Sequence, residues 1–128
     1  MIVHGQSDIH TEGNLIFVKL TGAFNEEGCK LYIENVKNVI LNFNNEPVKM
    51  LIDNCDLEGA TPEAYQRLDE YNVWCRDQNI IAKAIVTENI PVTSIIQKNV
   101  PSFRESEVGF FTEKDKALLW LKKLTIDS

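Results

Sequence analysis

The stretch VKMLIDNCDLEGATPEAYQRLDEY, residues 48–71, is the most informative about the fold because it predicts a buried strand that leads into a capped helix. The run VKMLID is short and mostly apolar, which predicts a strand ending at Asp53. A polar loop containing Gly59 is expected next. Thr61 is a good N-cap and Pro62 suits the first helical position, so the sequence predicts a helix from Thr61 to about residue 78. A strand that leads directly into a helix is typical of parallel sheets.

The chain before this stretch predicts a hairpin and a helix. Two extended segments, residues 2–10 and 15–21, are separated by Thr11-Glu12-Gly13-Asn14, whose glycine and asparagine tolerate a positive φ. The second segment is apolar at nearly every position, as expected of a strand covered on both faces. From the N-cap Asn25 to Phe43, apolar residues recur at three- and four-residue steps and predict an amphipathic helix.

The chain after this stretch predicts two more strands and two more helices. The run IIAKAIV, Ile80–Val86, has the pattern of a buried strand, and residues 92–99 predict a short helix between two prolines. The run EVGFF, residues 107–111, predicts a last short strand. Thr112-Glu113-Lys114-Asp115 resembles a capping box, and the apolar stripe after it predicts a final helix.

These elements together predict one α/β domain over residues 1–128. We expect a mostly parallel, mixed sheet of about five strands, with an N-terminal antiparallel hairpin and about four covering helices. A chain of 128 residues is long enough to bury roughly two thirds of the surface that its unfolded form exposes. No second core is expected.

The net negative charge of the chain argues against some classes of binding partner. The sequence has 19 Asp and Glu against 13 Lys and Arg, a net charge of −6. Phosphate contacts need basic side chains, so nucleic acid is not an expected partner. No apolar run approaches the roughly 20 residues of a membrane-spanning helix, and the first ten residues lack the pattern of a secretory signal. We therefore expect a cytoplasmic protein without a transmembrane segment.

Three segments carry a family resemblance that covers nearly the whole chain: MLIDNCDLEGATPEAY, IIAKAIV and EVGFFTEKDKALLWLKKL. The last is the most specific, because a strand ending in phenylalanine precedes a helix with Ala117, Trp120 and Leu121. With the element order, these segments make the chain similar to the SpoIIAA-like family of the STAS superfamily, the branch often labelled STAS/SEC14. The resemblance implies a SpoIIAA-like fold and a non-enzymatic regulatory role in protein binding, like that of anti-sigma factor antagonists.

The resemblance also implies a phosphoswitch serine, which this chain lacks. In better-known STAS members the serine lies in an Asp-Ser-Ser-Gly-like stretch at the start of the helix after the third strand. The matching residues here are Glu58-Gly59-Ala60-Thr61-Pro62. A phosphate on Thr61 would face the positive end of the helix dipole, but it would also face the like charges of Asp56, Glu58 and Glu63. Thr61 is therefore either a plain N-cap or a phosphoacceptor.

The predicted binding surface for another protein consists of five residues around this junction: Asp53, Asp56, Glu58, Thr61 and Glu63. The carboxyl ends of parallel strands are where open α/β sheets place ligands. Three carboxylates there offer oxygen ligands for magnesium, but no Lys, Arg or Gly-rich phosphate cradle accompanies them. A solvated acidic loop that binds a basic partner is therefore favoured over a metal-dependent hydrolase. We expect no metal and no cofactor.

No pattern in the sequence marks a catalytic residue. His4 and His10 are six residues apart in one predicted strand, about 20 Å from each other, and are too distant to share a metal. A histidine that meets Cys55 or a serine across the sheet would leave no local signature. Cys29, Cys55 and Cys75 are widely spaced and odd in number, which favours reduced thiols over a disulfide or zinc framework. We expect a non-enzymatic protein.

The alternative function is a carrier or sensor for a small apolar or lipid-like ligand. Residues 90–103 have a weak secondary-structure pattern, and a segment of this kind over a sheet can cover a cleft. The predicted pocket residues are Ile90, Val92, Ile95, Ile96 and Phe103. A homodimer through a sheet edge or an exposed helix also stays open.

Overall fold

The computed structural model describes residues 2–88 and 108–124. The strands are β1 Gln6–Glu12, β2 Leu15–Phe24, β3 Val48–Ala60, β4 Ile80–Val86 and β5 Val108–Phe111. The helices are α1 Glu26–Leu41, α2 Pro62–Cys75 and α3 Lys114–Lys123. The strands form one sheet in the order β1-β2-β3-β4-β5, with β1 and β2 antiparallel and the other neighbours parallel. The predicted α/β fold with an antiparallel hairpin is confirmed.

The described residues contain three of the about four helices predicted. The predicted helix over residues 92–99 lies outside them. α1 and α2 each end a little earlier than predicted, at Leu41 and Cys75, because the last predicted turns are tighter. Within residues 2–88 and 108–124, no helix is long and apolar enough to cross a membrane.

The first hairpin is tighter than predicted. β1 and β2 pair from Gln6 with Thr21 to Glu12 with Leu15, so only Gly13 and Asn14 form the turn. Gly13 has a φ of 57°, in the left-handed region that glycine adopts at little cost.

Asn25 fixes both the start of α1 and the segment before β1. Its Oδ1 accepts hydrogen bonds from the backbone N–H of Gly28 at 2.8 Å and of His4 at 3.0 Å. Its Nδ2 donates to the carbonyl of Ile2 at 2.8 Å. Gly28 packs so closely on the His4 carbonyl that a Cβ at position 28 would overlap the oxygen. The predicted N-cap is confirmed, and it also holds residues outside the helix.

β3 is longer than predicted, and the polar loop expected over residues 55–60 is wrong. The strand does not end at Asp53 but runs through 13 residues to Ala60. Its second half pairs with residues 21–24 of β2, after register shifts that follow Lys19 and Gly22. Backbone hydrogen bonds to β2 keep this polar segment extended, because they satisfy its N–H and C=O groups whatever the side chains are.

The helices cover the sheet on both faces and so create two apolar clusters. α1 and α2 pack side by side over one face, where Tyr32, Val36 and Tyr71 meet Ile16, Met50 and Ile52. α3 packs on the other face, where Ala117 and Leu121 meet Leu51 and Ala84. Phe17 belongs to this second cluster, so β2 is covered on both faces as predicted.

The two ends of α3 differ from the prediction and from each other. Its N-cap is Glu113, which makes no side-chain cap hydrogen bond, so the predicted capping box is wrong. Glu113 instead forms an ion pair with Lys116 at 2.8 Å, which draws its carboxylate away from the helix N–H groups. At the other end, the buried Lys49 of β3 donates to the carbonyls of Leu121 and Leu124. This lysine closes the helix from across the sheet.

Candidate functional site

Three of the predicted binding residues lie on the sheet face opposite α1 and α2. Leu57 packs into the cluster under these helices, so its neighbours Asp56 and Glu58 point to the opposite face. Asp53 points the same way, because the buried residues on both sides of it face the helices. Asp56 and Glu58 are exposed and Asp53 is half-buried. The structure therefore brings the three carboxylates onto one strand and one face.

A lysine on the neighbouring strand partly balances this charge. Lys19 Nζ lies 3.3 Å from Asp56 Oδ2, and both side chains are about half exposed. The hydrogen bond and charge of Asp56, with a contribution from Asp53, raise the pKa of Lys19. Lys19 carries one positive charge against the three carboxylates of Asp53, Asp56 and Glu58, so these four side chains together keep a negative balance.

Asp53 also shapes the strand beside it. Its Oδ1 accepts a hydrogen bond from the Cys55 N–H at 2.9 Å, at the point where the pairing with β2 shifts register. Burial, followed by the hydrogen bond and charge of Asp53, raises the pKa of the Cys55 thiol to about 11. A nucleophilic cysteine needs a lowered pKa, so this environment keeps Cys55 protonated and unreactive at neutral pH.

Thr61 joins β3 to α2 and is the N-cap that the sequence predicts. Its N–H donates to the Phe24 carbonyl at 3.0 Å, and its hydroxyl accepts from the Ala64 N–H at 3.2 Å. Glu63 is exposed in the first helical turn. The five predicted residues thus lie along the carboxyl-terminal half of β3 and just after it, with the three β3 carboxylates on one face and Thr61 and Glu63 where the chain turns towards the other.

The two histidines do not share a strand, so that part of the prediction is wrong. His4 precedes β1, whereas His10 lies within it and stacks on Phe17 with ring centroids 4.7 Å apart. In the part of the chain that the structure describes, no group of three or more His, Cys, Asp and Glu side chains is arranged to hold a metal ion. The acidic residues of β3 therefore form a charged surface with no observed metal geometry.

The predicted pocket falls outside the described residues. It comprises Ile90, Val92, Ile95, Ile96 and Phe103, all in the segment between residues 88 and 108. This pocket stays a prediction.

The sequence interpretation missed a polar group buried between α2 and β4. Lys83 Nζ donates to Asn72 Oδ1 at 3.0 Å and lies 5.0 Å from the centroid of the Tyr71 ring. Lys83 is 4% exposed and Asn72 1% exposed. Burial lowers the pKa of Lys83. The available signal was a lysine in the middle of the apolar run IIAKAIV, since a strand covered on both faces buries its lysine whichever way it points.

The sequence and the fold both have known counterparts. The profile of the SpoIIAA-like family matches residues 15–122. An uncharacterised protein of the DUF3478 family from Shewanella loihica PV-4, described as having a SpoIIAA-like fold, superposes with a TM-score of 0.68 at 17% identity, over 94% of this chain and 96% of that one. An anti-sigma factor antagonist from Mycobacterium paratuberculosis gives a TM-score of 0.68 at 12% identity, over 93% and 95%. Among curated proteins, none matches the sequence. At these identities the structural likeness establishes the fold alone.

Proposed function

The chain belongs to the SpoIIAA-like family, and on that premise we propose that it is a non-enzymatic regulatory module that binds another protein. The proposed contact surface lies around the carboxyl-terminal end of β3 and consists of Asp53, Asp56, Glu58, Thr61 and Glu63. The observation that carries the proposal is the continuation of β3 to Ala60, which presents Asp56 and Glu58 to solvent from a paired strand. In this proposal, the surface recognises a basic partner protein in the cytoplasm.

A paired strand suits recognition because its side chains are already ordered before the partner arrives. Fixing a flexible loop on binding costs free energy, and a strand held by backbone hydrogen bonds avoids most of that cost. The negative balance of the face favours a partner with Lys or Arg at the contact, and opposite charge speeds the encounter of the two proteins.

Thr61 is the candidate phosphoacceptor in this proposal, because it is the only hydroxyl residue between Asp53 and Glu63. Its hydroxyl already accepts the hydrogen bond of the Ala64 N–H. A phosphate would keep oxygen acceptors at that helix end but add about two negative charges in the same helical turn as Glu63. Mass spectrometry of the protein isolated from cells, with Thr61→Val as the reference, tests whether the residue is modified.

Charge removal at the surface tests the protein-binding role. In the variant Asp56→Asn with Glu58→Gln, the shape of the surface stays while its charge falls, so we expect weaker capture of the partner in affinity purification from cells. The matched control is Glu34→Gln with Glu46→Gln, two exposed carboxylates elsewhere on the chain. Circular dichroism checks that both variants fold. Equal capture of the same partner by the wild type and both variants would remove this surface from consideration.

Self-association is a separate part of the proposal. β1 is the outer strand of the sheet, and Leu31 and Leu41 are exposed on α1 at 47% and 55%. Either feature offers a contact between two copies of the chain. Light scattering over a range of protein concentrations tests this directly, and a constant monomer mass would exclude the homodimer.

A further inference from the structure

The turn that joins β1 to β2 fixes the direction of the backbone groups of β1. Gly13 and Asn14 form a two-residue turn, so Glu12 and Leu15 on either side of it exchange backbone hydrogen bonds. The Lys49 N–H donates to the Asn14 carbonyl at 3.0 Å, which agrees, because it directs the residue next to Leu15 towards β3. Backbone groups alternate in direction along a strand, so the even-numbered residues of β1 bond to β2.

The odd-numbered residues of β1 consequently point their N–H and C=O groups away from the sheet. These residues are Ser7, Ile9 and Thr11, and β1 is the outermost strand among the described residues. Outer strands that stay unpaired usually carry proline or lysine, and the seven residues QSDIHTE contain neither. The outer side of β1 is therefore open to pairing with another strand.

The exposed side chains of β1 have a charge pattern that is complementary to itself. His10 stacks on Phe17, so it lies on the sheet face that α3 covers further along, and Asp8 shares that face because it is two residues away. Both side chains are exposed. In two antiparallel copies of β1 that meet at Ile9, each Asp8 lies directly opposite His10 of the partner subunit. An imidazole N–H can donate to a carboxylate whether the ring is neutral or charged.

The register centred on Ile9 is also the one that uses the whole strand. It pairs Ile9 with its own counterpart and Ser7 with Thr11 of the partner subunit, so every outward N–H and C=O group of β1 has a partner. A centre at Asp8 would place two aspartates opposite each other, and a centre at His10 would place Asp8 opposite Glu12 of the partner subunit. Like charges directly opposite are destabilising, so both alternatives are disfavoured.

α1 adds an apolar residue beside the same edge. Leu31 is 47% exposed and borders a groove of about 280 Å³ that residues 5–8 also line. In a two-fold dimer that continues the sheet, the axis is perpendicular to the sheet, so both copies of α1 lie on one face, beside the junction. The open edge of β1 and the exposed Leu31 therefore belong to one surface.

We propose that two copies of this chain pair through β1, antiparallel and centred on Ile9, so that two five-stranded sheets become one of ten strands. This inference rests on the self-association part of the proposed function and gives it a strand and a register. The acidic residues of β3 lie two strands away from the junction, so each copy keeps that surface for a protein partner.

Two charge variants test the register, because each should dimerise poorly alone and recover when mixed. Asp8→Lys and His10→Glu each replace two favourable cross-strand pairs, and each should raise the dissociation constant of the dimer about threefold to thirtyfold. A one-to-one mixture places opposite charges across the axis on both sides and should dimerise like the wild type. Sedimentation equilibrium measures all of these constants. The control Asp77→Lys makes the same charge change at an exposed residue after α2 and should dimerise like the wild type.

A cysteine at the axis tests the same register by distance. In the proposed dimer the two Ile9 Cα atoms lie about 5.5 Å apart, within disulfide range, so Ile9→Cys should give a covalent dimer on mild oxidation. The two copies of Ser7 would be offset by about four residues, roughly 14 Å, so Ser7→Cys should give no more covalent dimer than the wild type. A mixture of Ser7→Cys with Thr11→Cys should cross-link again.

The register is overturned if Ser7→Cys cross-links and Ile9→Cys does not, or if the mixed charge variants dimerise no better than either one alone. If light scattering still shows a dimer in that case, self-association stands and uses another surface. A constant monomer mass of the wild type would overturn both. None of these outcomes changes the test of the acidic surface, which is read from capture of a different protein.

Discussion

Two lysines are buried in adjacent strands on opposite faces of the sheet, and the protein stabilises them in different ways. Lys49 of β3 donates to two carbonyls at the end of α3, where the helix dipole places partial negative charge. Lys83 of β4 donates to one amide oxygen, Asn72 Oδ1, and lies over the Tyr71 ring. Both residues occupy the same kind of apolar run, so the face that each one meets decides its role.

Burial alone therefore does not define the role of a charged residue. Lys49 completes a helix: without it the Leu124 carbonyl would lose this donor, and the Leu121 carbonyl would keep only the Leu124 N–H among the described residues. Lys83 orients an amide beside a cavity, and its own charge is poorly compensated. The first lysine should therefore stabilise the fold, and the second should limit stability.

The largest loss of stability should follow from replacing Lys49, on the sheet face that α3 covers. Lys49→Met keeps most of the length of the side chain but removes the ammonium donor from the carbonyls of Leu121 and Leu124. We expect the free energy of unfolding to fall by about 2–3 kcal/mol, in the range of hydrogen bonds to a charged group. Urea unfolding at neutral pH measures it, with the exposed Lys122→Met as the control that should unfold like the wild type. A loss as small as that of the control would show that Lys49 is not a helix cap.

The next largest change in stability concerns the hydrogen-bonded pair Lys83 and Asn72, whose members can be replaced singly and together. Asn72→Leu alone takes the amide acceptor from the buried Lys83 amine, which keeps the Cys75 side chain as a partner, and should cost about 1–3 kcal/mol. The double variant Asn72→Leu with Lys83→Met replaces both partners by apolar groups, and should return to within about 1 kcal/mol of the wild type or exceed it. Urea unfolding of the four-member cycle gives both numbers. If the double variant is less stable than Asn72→Leu, Lys83 stabilises the fold as Lys49 does, and the contrast between the two faces fails.

A neutral cap gives a smaller effect for comparison with the lysine cap. Thr61→Ala removes the acceptor of the Ala64 N–H and should cost about 1 kcal/mol, while Thr61→Ser keeps the hydroxyl and should stay close to the wild type. Thermal unfolding followed by circular dichroism resolves the order. A cost for Thr61→Ala equal to that of Lys49→Met would mean that charge adds nothing to capping here.

The smallest effect is an increase of stability with pH that Lys83 should cause. Burial lowers the pKa of Lys83 in the folded state below the ordinary value of 10.5. Between the lowered value and 10.5 the unfolded state binds more protons, so this residue makes the protein more stable as pH rises. The stability of the wild type minus that of Lys83→Met should therefore increase from neutral pH towards pH 10.

The subtraction in this pH experiment is needed because other groups act in the opposite direction. Burial raises the pKa of Cys29 to about 11 and also raises the pKa of Tyr32 above its ordinary value, so their ionisation in the unfolded state lowers stability at alkaline pH. Both proteins share these groups, and the difference cancels them. A flat difference across the pH range would mean that Lys83 has the same pKa folded and unfolded.

The fold could be predicted because its main elements carry their own local signals. The run IIAKAIV gives β4 residue for residue, and the caps Asn25 and Thr61 mark the starts of α1 and α2. The second half of β3 carries no such signal, since its polar residues resemble a loop. Pairing with β2 makes it a strand, and that pairing depends on contacts distant in sequence.

The candidate site could be predicted only in part, for the same reason. Asp53, Asp56 and Glu58 were recognisable as an acidic group, but the register shifts beside Lys19 and Gly22 decide which way the later carboxylates point. A strand bulge of this kind has no clear mark in a single sequence. The cavity beside Asn54 and Asn72 depends on how closely α2 packs on the sheet. The hydrophobic pattern of the sequence does not give that distance.

The close contact between Gly28 and the His4 carbonyl limits how this protein can be engineered. A glycine in the first turn of α1 invites replacement by alanine, which ordinarily strengthens a helix. Here the added methyl group would take the space of the His4 oxygen, so the segment from Ile2 to His4 would have to detach and Asn25 would lose two of its three partners. A design calculation that treats α1 as an isolated helix would therefore choose a substitution that detaches residues 2–4 from the domain.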